Sequence, residues 1–230
     1  MPATNFLPSR DGFAFTNVWP SEPDVALPTP FGPIDIGNAD AGLCGGMVFG
    51  ALDYWHSGTA PPAARPAPGE PLYRYLVRRL VDSWNLPAGA AQYYQWMNLP
   101  DGDASLDIAG QHVTTERGLA WRTIGVQWPQ ITADLAQGTP VALGVVTVAS
   151  ASPGDLGLNH QVLAYDYQAA PDQVTVRVYD PNSGQKDGIH IQFDPRNPAD
   201  PTAFRHNLNI GRPVRGFFRT SYTAATPPGL

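Results

Sequence analysis

The chain has 230 residues, of which 43% are apolar and 15% charged, so it can form one sizeable core and falls within the range of a single domain. Twenty acidic and fourteen basic side chains give a net charge of −6, and no cluster of Lys and Arg interrupts that balance, which argues against nucleic acid as a partner. The single cysteine excludes an intramolecular disulfide and paired-cysteine zinc sites.

The sequence carries no pattern typical of a membrane or export segment. The first twenty residues lack a charged region followed by a continuous apolar run. No later stretch reaches the roughly 18 uncharged apolar residues of a membrane span. We therefore expect no membrane partner and, by default, a cytoplasmic location.

The N-terminal part of the chain is predicted to be irregular up to residue 37. Six prolines between positions 8 and 33 separate short apolar runs there, and we expect this segment to lie over the surface of the domain. In residues 44–56 apolar side chains recur at spacings of three and four, which predicts a half-buried helix. A loop rich in proline, alanine and glycine is predicted at 57–71.

Further helices are predicted in the middle of the chain. Residues 72–84 and 90–98 have helical patterns, and Pro129 near a start with Gly138 as a stop predicts a short helix over about 128–137. The pattern between 101 and 125 is ambiguous and allows a helix around 105–118.

After Gly138 the sequence changes to β-branched and aromatic runs bounded by Gly, Pro, Asp and Asn, which predict strands. Helices first and strands second indicate an α+β fold with an antiparallel sheet rather than alternating βαβ units. The predicted strands lie within 140–150, 160–168, 173–180, 189–193 and 215–222.

Cys44 is at the start of the first long predicted helix. Unpaired amide groups and the helix dipole stabilise an anion there and favour a nucleophilic thiolate. Glycines at positions 42, 45 and 46 would let a substrate approach the backbone closely. The alternative is that Cys44 is a small buried apolar residue, as most lone cysteines are.

His160 and Asp180 are the other candidates for chemistry. His160 begins a predicted strand at the edge of a turn-rich loop, where its imidazole can face a cleft, and Asp180 ends the next strand. On neighbouring antiparallel strands Asp180 could reach the imidazole, orient it and stabilise its protonated form. Alternatively, His160 is a structural histidine and Asp180 belongs to a turn. Asn182 could also orient the ring instead.

Four segments together resemble the papain-like cysteine peptidases, and above all their bacterial branch related to bacteriocin-leader peptidases. They are Gly-Leu-Cys-Gly-Gly-Met at 42–47, Gly-Thr-Pro-Val at 138–141, Asn-His-Gln-Val-Leu-Ala-Tyr at 159–165 and Val-Tyr-Asp-Pro-Asn at 178–182. The likeness runs from about Asn38 to Tyr222.

The resemblance implies one papain-like domain over residues 1–230. Its parts would be the irregular segment 1–37, a helical lobe at 38–137 that carries the nucleophile, a β lobe at 138–223 that carries the histidine, and a tail at 224–230. A cleft would lie between the two lobes.

The resemblance makes Cys44 the nucleophile, His160 the general acid and base, and Asp180 the residue that orients His160. The family has an oxyanion-hole amide, usually Gln, six residues before the nucleophile. That position is Asn38 here, which is shorter by one methylene group. Three neighbouring residues are expected to contact the substrate: Gly42, Gly45 and Asn159.

The leading hypothesis is hydrolysis of an amide bond in a peptide or protein through a Cys44 acyl-enzyme, which needs no cofactor. The same residues would also suit a transglutaminase, an isopeptidase or a cell-wall amidase. The rival is an inactive papain-like binding module with an aromatic groove, although large aromatics at helical spacing usually form core. The aromatic candidates are Trp84, Tyr93, Tyr94, Trp96 and Trp121.

Two further questions concern metals and assembly. Asp101, Asp103 and Asp107 resemble part of a calcium loop but lack its glycine and its bidentate Glu, so we interpret them as a solvated acidic turn and expect no metal. The sequence leaves open the oligomeric state and whether the N-terminal segment covers the cleft.

Overall fold

The computed structural model describes residues 3–19, 42–108, 111–196, 198 and 204–229, and the backbone of 25–29 and 32–36. A π-helical segment spans Arg122–Gln127, and a 3₁₀ segment spans Pro153–Leu158. The elements are α1 Pro8–Asp11, β1 Val25–Thr29, β2 Gly32–Ile36, α2 Cys44–Ser57, α3 Pro71–Ser83, α4 Ala88–Met97, β3 Ala104–Ile108, β4 Gln111–Glu116, α5 Leu119–Trp121, α6 Trp128–Ala136, β5 Val141–Val146, β6 His160–Ala170, β7 Gln173–Tyr179, β8 His190–Phe193, β9 Arg205–His206 and β10 Gly216–Arg219.

The main sheet has six strands in the order β10-β5-β6-β7-β8-β9. Every neighbouring pair is antiparallel, so the expected mixed fold with helices first and an antiparallel sheet second is confirmed. The predicted helices at 44–56, 72–84, 90–98 and 128–137 match α2, α3, α4 and α6 within two residues. The predicted strand runs contain β5, β7, β8 and β10, and the run at 160–168 covers all of β6 except its last two residues.

The sheet is buried on both faces, as β6 illustrates. Successive side chains of a strand point to opposite faces. Leu163 and Tyr165 therefore join a core cluster with α2 and α3, while Val162 and Ala164 join a second cluster with α6. A strand covered on both sides has a continuous run of apolar residues, as β6 does at 162–165.

The helix allowed around 105–118 is not formed. Strands β3 and β4 make an antiparallel hairpin there, with Leu106 opposite Val113 and Asp107 opposite His112. The β-branched residues of this stretch favour an extended backbone, and the expected helical lobe therefore includes a two-stranded hairpin.

The irregular surface segment expected at 1–37 also needs correction. It contains α1 and the antiparallel hairpin β1–β2. Pro8 is at the first position of α1, where proline is well tolerated because the missing amide would be unpaired in any case. Large aromatic side chains bury extensive apolar area, and four of them from this segment lie in the core against α2: Phe6, Phe13, Phe15 and Trp19.

Within the described part of the chain, no helix combines the length and the apolar character needed to cross a lipid bilayer.

Candidate active site

The thiol of Cys44 is held at the N-terminus of α2. The helix begins at this residue, and the side chain of its N-cap residue, Leu43, makes no capping hydrogen bond to the first turn. Amide groups in a first helical turn have no carbonyl partner within the helix, so they are available to stabilise negative charge near the thiol. Cys44 is half-buried and lines a cleft.

His160 and Asp180 lie close together where the two central strands of the main sheet begin and end. His160 is the first residue of β6, and Asp180 directly follows β7, its antiparallel neighbour. His160 Nε2 lies 2.8 Å from Asp180 Oδ1, and both side chains are buried. The contact that the sequence allowed between neighbouring strands is therefore formed.

The electrostatics of this pair favour a charged imidazole. Burial by itself lowers the pKa of His160, but hydrogen bonds to Asp180 and Cys44 outweigh burial and raise that pKa above the ordinary histidine value. Because Nε2 is engaged by Asp180, Nδ1 is the ring nitrogen left for the Cys44 thiol. Thiol, imidazole and carboxylate thus form a chain of three interacting groups.

Asp180, rather than Asn182, contacts the imidazole. The described residues donate two hydrogen bonds to each oxygen of its carboxylate: His160 Nε2 and Asn182 N to Oδ1, and Ser183 Oγ and Asn209 N to Oδ2. Burial by itself raises the pKa of this carboxyl. The hydrogen bond with His160 and those from the backbone amides have the larger, opposite effect, so the pKa lies below the ordinary aspartate value. Asp180 is therefore held as an anion beside the imidazole.

Asn17 is a site residue that sequence reasoning missed. Its Oδ1 accepts a hydrogen bond of 2.8 Å from the backbone amide of Leu43, the residue directly before Cys44. Its Nδ2 donates to Asn182 Oδ1 at 3.1 Å, and its backbone amide donates to Pro181 O at 2.9 Å. One side chain from the N-terminal segment therefore joins the loop before the thiol to the loop after Asp180.

Tyr93, on α4, is a second missed neighbour. Its hydroxyl donates to the backbone carbonyl of His160 at 3.1 Å. Burial first, and the charge of Cys44 second, raise the pKa of the Tyr93 hydroxyl well above its ordinary value. It therefore stays protonated and supports the first residue of β6. Tyr93 was named from the sequence only as a core or groove aromatic.

The cleft outside the thiol has a volume of about 450 Å³, within the usual range of small-molecule pockets. Four predicted site residues line it: Gly42, Cys44, Asn159 and His160. Asn159 Oδ1 also accepts a hydrogen bond from the Thr147 amide, and its Nδ2 donates one to Leu156 O. These two bonds fix the position of Asn159 in the wall of the cleft.

Gly45 and Asn38 differ from that group. Gly45 is buried and does not line the cleft; a Cβ there would lie 2.2 Å from Ser83 Oγ. The glycine therefore serves helix packing rather than contact with a substrate in the cleft. Asn38, expected to donate to the oxyanion, lies outside the described residues.

The acidic turn is engaged in ion pairs. Asp103 contacts Arg117, and Asp101 contacts Arg215 at 2.8 Å. Among the described residues, no group of three or more His, Cys, Asp or Glu side chains is placed to hold a metal ion.

An ordered thiol, imidazole and carboxylate at the wall of a cleft can activate a nucleophile and transfer a proton. Comparison with known proteins gives no match: no protein-family model, no curated protein and no solved structure matches this chain. The interpretation of the site therefore depends on its own geometry.

Proposed function

We propose that the protein is a thiol-dependent hydrolase that cleaves an amide bond of a peptide or protein, with a papain-like arrangement of its catalytic groups. One observation carries the proposal: the buried His160–Asp180 contact of 2.8 Å, with the half-buried Cys44 and His160 lining the same cleft. A structural histidine would not need both a half-buried thiol and a buried carboxylate near it.

The proposed reaction has two stages. The Cys44 thiolate attacks the amide carbonyl, the C–N bond breaks, and the His160 imidazolium gives its proton to the leaving amine. Neutral His160 then takes a proton from water, the resulting hydroxide attacks the thioester, and the C–S bond breaks to release the acid and restore the thiolate. Asp180 keeps the ring oriented and stabilises its charged form throughout.

The oxyanion needs donors near the thiol. The Cys44 backbone amide belongs to the unpaired first turn of α2 and is one donor in this proposal. The resemblance to papain-like peptidases suggests Asn38 as the second. The substrate is proposed to be extended along the cleft that Gly42 and Asn159 line.

The test is the pH dependence of Cys44 alkylation by iodoacetamide. The chain has a single cysteine, so each adduct seen in the intact mass reports on Cys44 alone. The proposal expects the rate to stay on a plateau well below about pH 8.5, where a free cysteine loses its proton. His160→Ala should abolish that plateau, and Asp180→Ala should shorten it.

The matched control is His190→Ala, which makes the same change at a histidine of β8 that does not line the cleft. The alkylation plateau of this variant should equal that of the wild type. Slow alkylation without a plateau in every protein, or equal alkylation in His160→Ala, would disprove the dyad. Either result would favour a binding module instead.

A further inference from the structure

A small cavity opens beside the Cys44 thiol and is separate from most of the cleft. Cys44 and His160 line both spaces, while Leu80, Leu156 and the Tyr93 ring form apolar walls of the cavity alone. Its volume of about 30 Å³ holds on the order of two water molecules. It is therefore too small for an aromatic ring and suits only a compact polar group, such as a carboxamide.

Two polar atoms of residues that line this cavity are buried without a hydrogen-bond partner in the described part of the chain. They are Nε1 of Trp84, a donor, and Oε1 of Gln161, an acceptor. Gln161 is 3% exposed. Because an unpaired buried polar group is destabilising by about 1–3 kcal/mol, two of them around one cavity indicate that something else satisfies them.

The orientation of the Gln161 amide follows from its neighbours. Ser83 Oγ donates its single proton to Leu80 O at 2.7 Å, so towards Gln161 it can only accept. The Gln161 Nε2 group therefore faces Ser83, at 3.2 Å, and Oε1 is left unpaired. Gly45 makes this arrangement possible, since a Cβ there would collide with Ser83 Oγ.

We propose that this cavity is a subsite for a primary carboxamide, the side chain of a glutamine or asparagine in the substrate. The carboxamide oxygen accepts from Trp84 Nε1, and its NH₂ group donates to Gln161 Oε1. This inference rests on the proposed function, because the cavity borders the thiol that attacks the substrate.

Other side chains match the cavity less well. A carboxylate would place an oxygen against Gln161 Oε1, and an ammonium group would face the Trp84 donor. An apolar side chain would leave both atoms unpaired. Sites built to hydrogen-bond a substrate group reject analogues that lack it, so the cavity discriminates by chemistry as well as by size.

The test uses short peptidyl acyloxymethyl ketones, which label a thiolate by forming a C–S bond as the carboxylate leaves. Probes carry glutamine, methionine or glutamate at the first or second residue from the ketone. The readout is the rate of each probe divided by the iodoacetamide rate of the same protein. The glutamine probe should exceed the other two by about tenfold or more at one of the two positions.

Two variants connect that preference to the cavity. Trp84→Phe removes the Nε1 donor and keeps an aromatic ring, and Gln161→Met removes the acceptor at similar size; each should reduce the glutamine-to-methionine ratio by about tenfold. Trp55→Phe is the matched control, because Trp55 donates to Asn5 and does not line the cavity; its ratio should stay at the wild-type value.

The possible results are separable. Equal normalised rates for the three probes, with alkylation by iodoacetamide still dependent on His160, would overturn the subsite and leave the hydrolase intact. An unchanged ratio in both Trp84→Phe and Gln161→Met would mean that the cavity holds ordered water only, and would also overturn it. Iodoacetamide alkylation that is independent of His160 would overturn the proposed function, and the subsite with it.

Discussion

The surroundings of Asp180 stabilise its ionised carboxylate. Both carboxylate oxygens are saturated by donors, while the Asn182 side chain faces Asn17 and Asn209 instead of the imidazole. From the sequence, Asp180 is the expected partner of the imidazole, and Asn182, two positions later in the same turn, is the alternative. The contact across β6 and β7 distinguishes them.

The first prediction concerns the stability of the His160–Asp180 pair. The pKa of Asp180 is lowered in the folded state, so its contribution is present above about pH 3.9 and is lost as pH falls through the folded pKa. The pKa of His160 is raised, so its contribution is present below about pH 6.5 and is lost as pH rises through the folded pKa. The pair should therefore stabilise most between about pH 4 and 6.5.

Asp180→Asn should lower the free energy of unfolding by about 3 kcal/mol in that window. Urea unfolding of both proteins from pH 4 to 9 measures the difference, which should shrink progressively above about pH 6.5, because His160 is then neutral in the unfolded chain but still protonated beside Asp180 in the folded one. A difference that is the same at every pH would contradict an ion pair.

The second prediction concerns Asn17, which joins the two loops of the site. Asn17→Ala removes the acceptor for the Leu43 amide and the donor to Asn182. We expect the alkylation rate of Cys44 to fall by about tenfold, because the thiol is no longer held against the imidazole. The free energy of unfolding should fall by only about 1–2 kcal/mol.

The control for Asn17 is Asn98→Ala, at a side chain that donates to Tyr94 O on the exposed side of α4. Its alkylation rate should remain at the wild-type value. Equal effects of the two substitutions would mean that Asn17 has no particular role in positioning Cys44.

At the scale of elements, α2 and α3 pack closely where α2 begins. A Cβ on Gly46 would lie 2.1 Å from the backbone oxygen of Leu76 in α3. Backbone atoms cannot move aside as a flexible side chain can, so this contact requires glycine. The same approach keeps Ser83 of α3 beside Gly45 and thereby beside the site.

The third prediction tests this contact. Gly46→Ala should lower the free energy of unfolding by about 2–3 kcal/mol, because the helices must separate. Gly125→Ala is the matched control: the nearest atom to its Cβ would be 3.5 Å away, an ordinary contact, so the change should be neutral or stabilise by about 0.5–1 kcal/mol. Chemical denaturation of both variants measures the contrast, and equal stabilities would contradict the close approach.

At the scale of the whole molecule, a buried cluster connects the C-terminal segment to the helices. The Asp53 carboxylate on α2 contacts Arg79 Nε at 2.7 Å and the Tyr75 hydroxyl at 2.5 Å, both from α3. It also accepts from the Tyr222 hydroxyl at 2.6 Å and the Ala225 amide at 2.8 Å. Both members of the ion pair are nearly inaccessible to solvent, and Arg79 also contacts Asp82 at 2.8 Å, so the Asp53 carboxylate depends on Arg79 for compensation of its charge.

The fourth prediction is that Asp53→Asn destabilises the protein by about 3–5 kcal/mol, since it removes the buried one of the two carboxylates that contact Arg79. Tyr222→Phe removes one hydrogen bond to the carboxylate and should be destabilising by about 1.5–3 kcal/mol. Urea unfolding followed by tryptophan fluorescence measures both. A larger effect for Tyr222→Phe than for Asp53→Asn would contradict a cluster centred on the carboxylate.

The sequence by itself determined most of the secondary structure, because its signals are local. Apolar spacing of three and four marked α2, and β-branched runs marked β5, β6 and β7. It failed where local signals conflict, as in the β3–β4 hairpin, and where proline suggested an irregular surface segment although Phe6 and Phe13 are core residues. It also supplied Cys44, His160 and Asp180 as candidates whose catalytic roles stay predictions.

Only the tertiary structure decided which of those candidates meet. The contact of His160 with Asp180 depends on the pairing of β6 and β7, and the position of Cys44 depends on Asn17, 26 residues before Leu43. The cavity with Trp84 and Gln161 combines residues from different elements. Such contacts join residues far apart in the chain, and no local propensity encodes them, because their partners become neighbours only when the core of the protein forms.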